Sequence, residues 1–161
     1  MALKSDKVFE LVKLLDGADC GVDTVGLDGY MSLDWTDEDI EGVKLNMQRY
    51  ADQGIRTHVT DARVICGGEN DCEWNEEQLA RQAELYAMLM QVCVDQYYCT
   101  SFTFNGFTDA YWDTAGDFRY GSSLFDENFE KKPAFFSVMD VLLNADRSSL
   151  VNQARNLLVE K

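Results

Sequence analysis

Basic residues are scarce in this chain: 14 Lys and Arg stand against 29 Asp and Glu across 161 residues, giving a net charge of −15. Phosphate recognition needs clustered cations, so this balance argues against nucleic acid or an anionic membrane as partner and leaves neutral or cationic ligands. A general role of the acidic surface is solubility. Histidine and proline each occur once, as His58 and Pro133. No long apolar run is present, so membrane insertion is not expected. Internal repeats, low-complexity tracts and linkers are also lacking. The opening MALKSDKVFELVKLL alternates charge and hydrophobe at helical spacing, unlike the apolar block of a secretory signal. Either a signal has been removed, or the chain is a piece of something longer.

What remains is 46% apolar, enough for one modest domain, since a chain near this size buries roughly 70% of its unfolded surface. Two of the cysteine pairs share one spacing, Cys66/Cys72 around GGEND and Cys93/Cys99 around VDQYY. Each pair is close enough to staple a local loop. Zinc motifs usually set paired cysteines two to four residues apart, and His58 lies in a strand pattern, so disulfides are the better reading. They imply an oxidising, extracellular or secretory compartment. Cys20 is left over and is expected to be a small buried hydrophobe rather than a reactive thiol. No cofactor and no metal site is implied.

Helices and strands alternate along the chain. Ser5 or Asp6 can cap a helix with Val8, Leu11, Val12 and Leu15 on one face, ended by Gly17. Thr24–Asp28 then reads as a short strand. Thr36 followed by Asp39 opens a second helix in capping-box style, with Ile40, Val43, Met47, Tyr50 and Ala51 at helical spacing before Gly54. Arg56–Asp61 reads as a strand, and Asn75 with Gln78 begins a third helix carrying Leu79, Ala83, Tyr86, Met90 and Cys93. Thr100–Asn105 is the last strand. Pro133 suits a first helical turn, after which Phe135, Phe136, Met139 and Leu142 offer an apolar face to cover that strand. Such alternation means parallel crossover units and an α/β fold. A further helix from about Asp146 carries Leu150, Val151, Ala154, Leu157 and Leu158 as a stripe, for packing on its own domain or on a partner.

The chemistry-bearing segments lie at the strand ends. They are Val25-Gly26-Leu27-Asp28-Gly29-Tyr30, Thr60-Asp61-Ala62-Arg63 and Asn105-Gly106-Phe107-Thr108-Asp109, followed by Leu124-Phe125-Asp126-Glu127-Asn128-Phe129 and Lys132-Pro133-Ala134. In order and spacing these five segments resemble the C-terminal half of glycoside hydrolase family 10, the retaining endo-β-1,4-xylanases, from about the first helix to Leu143. The resemblance implies the last three strands of an eight-stranded TIM-type barrel, hence a half-barrel over residues 1–145 and an extra helix over 146–161. It also implies β-1,4-xylan or a related polysaccharide as ligand. The family's sixth strand carries Gly, Leu, Gln, a small residue and His, and here the polar pair is absent. Its seventh ends in Thr-Glu-Leu-Asp with Glu as nucleophile, a position matched by Asp61, one methylene shorter. Its eighth ends in Trp-Gly, where this chain has Asn105-Gly106.

Retaining glycosidases set two carboxyl groups about 5–5.5 Å apart, and the family takes its acid from a strand without counterpart here. Asp28, Asp61 and Asp109 all fall at or just past strand ends, the face where barrels build active sites. Asp109 has a structural alternative, binding loop amide groups, and Arg63 can pair with Asp61, which would occupy that carboxylate. Sugar contact needs less than cleavage: Asp28, Tyr30, Trp35, Asn105, Tyr111 and Trp112 are the candidates, although aromatics in such loops often serve as core plugs instead. The expectation is therefore a catalytically degenerate xylanase-like half-barrel acting as a carbohydrate-contact, protein-docking or structural subunit. The alternative is one half of an active xylanase with Asp61 as nucleophile and the acid supplied by a missing segment or another chain. Three strands leave open edges, so a further protein chain covering them is expected, or else an open three-layer sandwich in which the chain's own C-terminal helix covers what was exposed.

Overall fold

The computed structural model describes residues 2–66, 74–111 and 121–145. The chain order is α1 (Ala2–Gly17), β1 (Thr24–Ser32), α2 (Asp37–Ala51), β2 (Arg56–Ile65), α3 (Glu76–Asp95), β3 (Cys99–Phe104), a 3-10 turn (Asp109–Tyr111) and α4 (Pro133–Asn144). The strands form one parallel sheet in the order β1-β2-β3. This is the α/β crossover arrangement expected for part of a barrel. The C-terminal stripe from Leu150 to Leu158 and the whole 146–161 segment lie outside the described residues, as do Cys72 and Trp112.

Local chemistry sets the helix starts. At α2, the Thr36 side chain accepts from the backbone N–H of Asp39, whose carboxylate accepts from the Thr36 backbone N–H. At α3, Asn75 and Gln78 make the same reciprocal pair. Each arrangement satisfies helix-end donors that would otherwise lack partners. Gly54, at φ 75°, turns the chain out of α2 into β2. That conformation is open to glycine at little steric cost.

The main core lies between the sheet and α2, α3 and α4. Met31, Val59, Ala62 and Val64 from the strands meet Met47, Leu85, Tyr86, Leu89, Ala134 and Val138 from the helices. A smaller cluster of Val12, Tyr50 and Ile55 ties α1 to α2, with the Phe9 and Tyr50 rings edge to face at 5.1 Å. Cys93 and Cys99 form the expected disulfide, joining the end of α3 to the start of β3.

Four expectations need correction. The helix α1 begins before Ser5 and Asp6, and of its anticipated apolar face only Val12 is buried; Val8, Leu11 and Leu15 are exposed. On α4 the buried residues are Ala134 and Val138, while Phe136, Met139 and Leu142 face outward. Periodicity identified both faces, but whether a face is covered depends on what stands beside it. Cys20 is exposed, because it sits in the turn leaving α1 and not against either core cluster. Strands β1 and β2 both run further than their alternation suggested, to Ser32 and Ile65. The register between them slips between Asp28 and Tyr30, and this irregularity hides the continuation.

Candidate functional site

The slip is also what builds the site. Asp61 takes a left-handed backbone conformation, φ 56°, in the interval where the β2-β3 register shifts between Val59 and Ala62. A non-glycine residue there is uncommon, although Asp tolerates it better than most. The extra residue re-aims the strand end: Ala62 returns to the core at 0% exposure, while the Asp61 and Arg63 side chains remain partly accessible. Gly29 permits the neighbouring strand to come close, since a Cβ at that position would lie 2.9 Å from both Ala62 Cα and Val59 Cγ1.

Four sequence candidates converge at this end of the sheet. Arg63 donates to Asp61 Oδ2 and Asn105 donates through Nδ2 to Asp61 Oδ1, so both carboxylate oxygens are engaged. Tyr30 pairs with Arg63 across the strands, and the guanidinium carbon lies 5.1 Å from the centre of its ring. Arg63 is 12% exposed and Asp61 39%, so the ion pair sits half in solvent with its cation sheltered. The backbone N–H of Asn105 donates to the Ala62 carbonyl at 3.0 Å, fixing β3's exit beside the bulge.

The other candidates lie elsewhere. Asp28 is exposed on β1 opposite Thr60, well before that strand's end, because β1 continues to Ser32. Trp35 packs against the main core. Asp109 is buried: it accepts from the Ser123 backbone N–H at 2.8 Å and pairs with Lys132 at 2.9 Å, which is the loop-binding role open to it. Lys132 also donates to the Gly121 carbonyl and lies under the Trp74 ring, 5.3 Å from its centre. Burial pushes the Asp109 carboxyl up, against the pull of Lys132, and pushes the Lys132 ammonium down. Tyr111 is 75% exposed beyond β3. Among the described residues no group of three His, Cys, Asp or Glu side chains is placed to hold a metal ion, and no helix is long and apolar enough to cross a membrane.

Two residues beside Tyr111 were not singled out by sequence: Phe107 and Phe129, 56% and 51% exposed, whose rings lie 6.1 Å apart. Phe129 is at φ 64°. An aromatic residue in that region is an outlier that sequence pattern does not announce.

Parallel strands with crossover helices, and polar side chains gathered where the strands end, define part of a barrel of the kind that builds its sites from strand-end loops. The sequence profile of glycosyl hydrolase family 10 matches residues 1–141. The chain belongs to that family. It is 31% identical over 143 residues to endo-1,4-beta-xylanase B of Thermotoga neapolitana, covering 86% of this chain and 39% of the relative. Endo-1,4-beta-xylanase 2 of Aureobasidium pullulans is 29% identical over 147 residues, with 86% and 40% covered. Among solved structures, xylanase 10B of Thermotoga petrophila RKU-1 in complex with xylobiose superposes with a TM-score of 0.74 at 27% identity, over 86% of this chain and 42% of that one. The chain thus spans about two fifths of the length of the relatives it matches.

Proposed function

We propose that this family 10 segment contacts xylan-type polysaccharide without cleaving it. The observation that carries the reading is the engagement of both Asp61 carboxylate oxygens, one by Arg63 and one by Asn105. Asp61 holds the position that the family resemblance gives to the nucleophile. A nucleophile must bring an oxygen lone pair to the anomeric carbon at the right distance, and each bond to Asp61 takes one of the lone pairs its two oxygens offer and fixes the direction of the carboxylate. Asp61 is one methylene shorter than Glu, and its carboxylate is bound to a guanidinium and an amide. Misplacement by about 1 Å can cost about a hundredfold in rate. Asp61 is on this reading a structural anion that orients Arg63 and Asn105, and those two with Tyr30 present donors and a ring to sugar hydroxyls and C–H faces, while Asp28, exposed two residues before Tyr30, stands outside this group as a further acceptor. Tyr111 and Trp112 extend the candidate set. The Cys93–Cys99 disulfide suits an oxidising compartment, where such a polysaccharide would be met.

Calorimetry provides the test. Titration of the chain with xylo-oligosaccharides is expected to give a saturable heat that weakens on Asn105→Ala, with no reducing sugar released during the titration. Absence of any binding heat defeats sugar contact, and release of sugar abolished by Asp61→Ala defeats the non-catalytic half of the reading.

A second reading is favoured by a separate observation. Strands β1 and β3 are the edges of the described sheet, and beside them α1 exposes Val8, Leu11, Leu14 and Leu15 while α4 exposes Phe136, Met139, Leu142 and Leu143. Open parallel edges flanked by apolar helix faces fit the remaining strands and helices of a family 10 barrel, in the same polypeptide or another. In that assembly the partner supplies the acid, and Asp61 is the nucleophile of a split or longer xylanase. Hydrolysis appearing only when this chain is combined with the complementary portion would favour this second reading.

A further inference from the structure

We propose that Asn105 is a deamidation site built into the exit of β3, and that the Asp61 carboxylate holds its amide back from the reaction. The modification is independent of the sugar-contact reading.

The fold itself calls for the reactive dipeptide. Asn105 is the one asparagine in the chain followed by glycine. That glycine is fixed by conformation: Gly106 lies at φ 70°, in the left-handed region that residues with a side chain enter only at a steric cost. A glycine leaves its backbone nitrogen unshielded. Gly106 is also exposed, lies beyond Phe104, the last residue of β3, and its N–H meets no hydrogen-bond acceptor among the described residues. On losing its proton, the Gly106 nitrogen attacks Asn105 Cγ. The bond from Cγ to Nδ2 breaks, the side-chain nitrogen leaves as ammonia, and a five-membered succinimide remains. Water then opens the ring on either side, giving aspartate or isoaspartate at position 105.

Two neighbours oppose this step. The Asn105 backbone N–H donates to the Ala62 carbonyl at 3.0 Å, and Nδ2 donates to Asp61 Oδ1. A carboxylate only accepts, so the nitrogen of the amide and not its oxygen faces Asp61. Arg63 grips Oδ2 of the same carboxylate, so the acceptor does not follow the amide when it turns. Ring closure turns the amide toward the Gly106 nitrogen, and the bond to Asp61 has to be given up for it. Conversion also changes the cluster. The donor to Asp61 becomes a second carboxylate, and like charges in contact repel, so the side-chain link between β2 and the exit of β3 is lost.

Peptide mapping by mass spectrometry tests both halves of the proposal, because the amide-to-acid mass gain and the isoaspartate linkage can each be localised to position 105. The full chain is incubated folded at mildly alkaline pH, beside the same chain unfolded in guanidinium chloride. Conversion of the unfolded chain is expected to be at least about tenfold faster, the scale of one hydrogen bond to a charged acceptor. Asp61→Asn is the informative variant, since asparagine tolerates the φ 56° of that position and keeps the shape of the side chain. Its amide oxygen still accepts, but without the charge, so conversion is expected to be faster than in the wild type and slower than in Asp61→Ala. Circular dichroism checks that Asp61→Asn is folded. An amide at position 105 that survives in the unfolded chain overturns the site. Equal conversion in the folded and unfolded chains, or Asp61 variants that convert no faster than the wild type, overturns the guarding role of Asp61.

Discussion

Replacing Lys132 with methionine is expected to destabilise the fold by about 3–5 kcal/mol, the range seen when one member of a buried ion pair is removed and the other stays behind. Lys132 and Asp109 are 7% and 4% exposed at the side chain and sit 2.9 Å apart. Without the ammonium, Asp109 retains the Ser123 N–H but must hold a negative charge in a site that already disfavours it, since burial raises its pKa. The sign of the pH dependence follows. A carboxyl whose folded pKa lies above its unfolded value contributes stability that is present below pH ~4 and is lost as pH rises through the folded pKa. The deficit of Lys132→Met should therefore be smallest near pH 4 and grow toward neutrality. Urea denaturation at several pH values measures it. The double variant Asp109→Asn/Lys132→Met should recover most of the loss, because no unpaired charge is left. A double variant as unstable as the single one would mean that the pair does not hold the loop to α4.

The second large effect concerns chemistry. In a protein that joins this chain to the complementary N-terminal portion of a family 10 xylanase, the double substitution Asp61→Glu/Arg63→Asp is expected to raise xylan hydrolysis by at least about a hundredfold. The substitution gives Thr-Glu-Ala-Asp, with the family's Glu and Asp in their places around Ala62. It lengthens the carboxylate by one methylene and removes the guanidinium that now engages Oδ2, and positional gains of about 1 Å are worth about that factor. Rate measurement on soluble xylan before and after the exchange decides the matter. An unsubstituted protein that already matches the exchanged one in rate would show that the ion pair does not restrain Asp61.

The parts legible in the sequence were those with short-range causes. The Thr36/Asp39 and Asn75/Gln78 boxes each need only residues three apart, and both helices begin as read. The Cys93–Cys99 bridge spans six residues. The family resemblance ran through strings of adjacent residues, and the three parallel strands appeared in the anticipated order. Arg63 beside Asp61 was likewise foreseeable from proximity.

What escaped depends on distant partners or on backbone conformation. The bulge at Asp61 breaks the alternation by which strands are recognised, so β1 and β2 were read as ending early. Asp109 and Lys132 are 23 residues apart, and nothing in either local sequence announces a buried pair. Asn105 stands where the family has Trp and is a sugar-contact candidate by sequence, but its role in binding Asp61 Oδ1 appears only once β2 and β3 are aligned. Phe129 needed knowledge of a left-handed residue inside the Asp126 turn. The apolar faces of α1 and α4 were found by period, but their exposure is set by what stands next to them in space.

On the proposed reading the carboxylate of Asp61 is a structural anion and not a nucleophile. The most direct test is mass spectrometry of the protein, combined with the complementary family 10 portion, after exposure to a 2-deoxy-2-fluoro-β-xylobioside carrying a good leaving group. Such a reagent traps the covalent glycosyl-enzyme of a retaining glycosidase. No added glycosyl mass is expected on the peptide containing Asp61, although sugar binding is retained. A fluoroxylobiosyl adduct on Asp61 would contradict it.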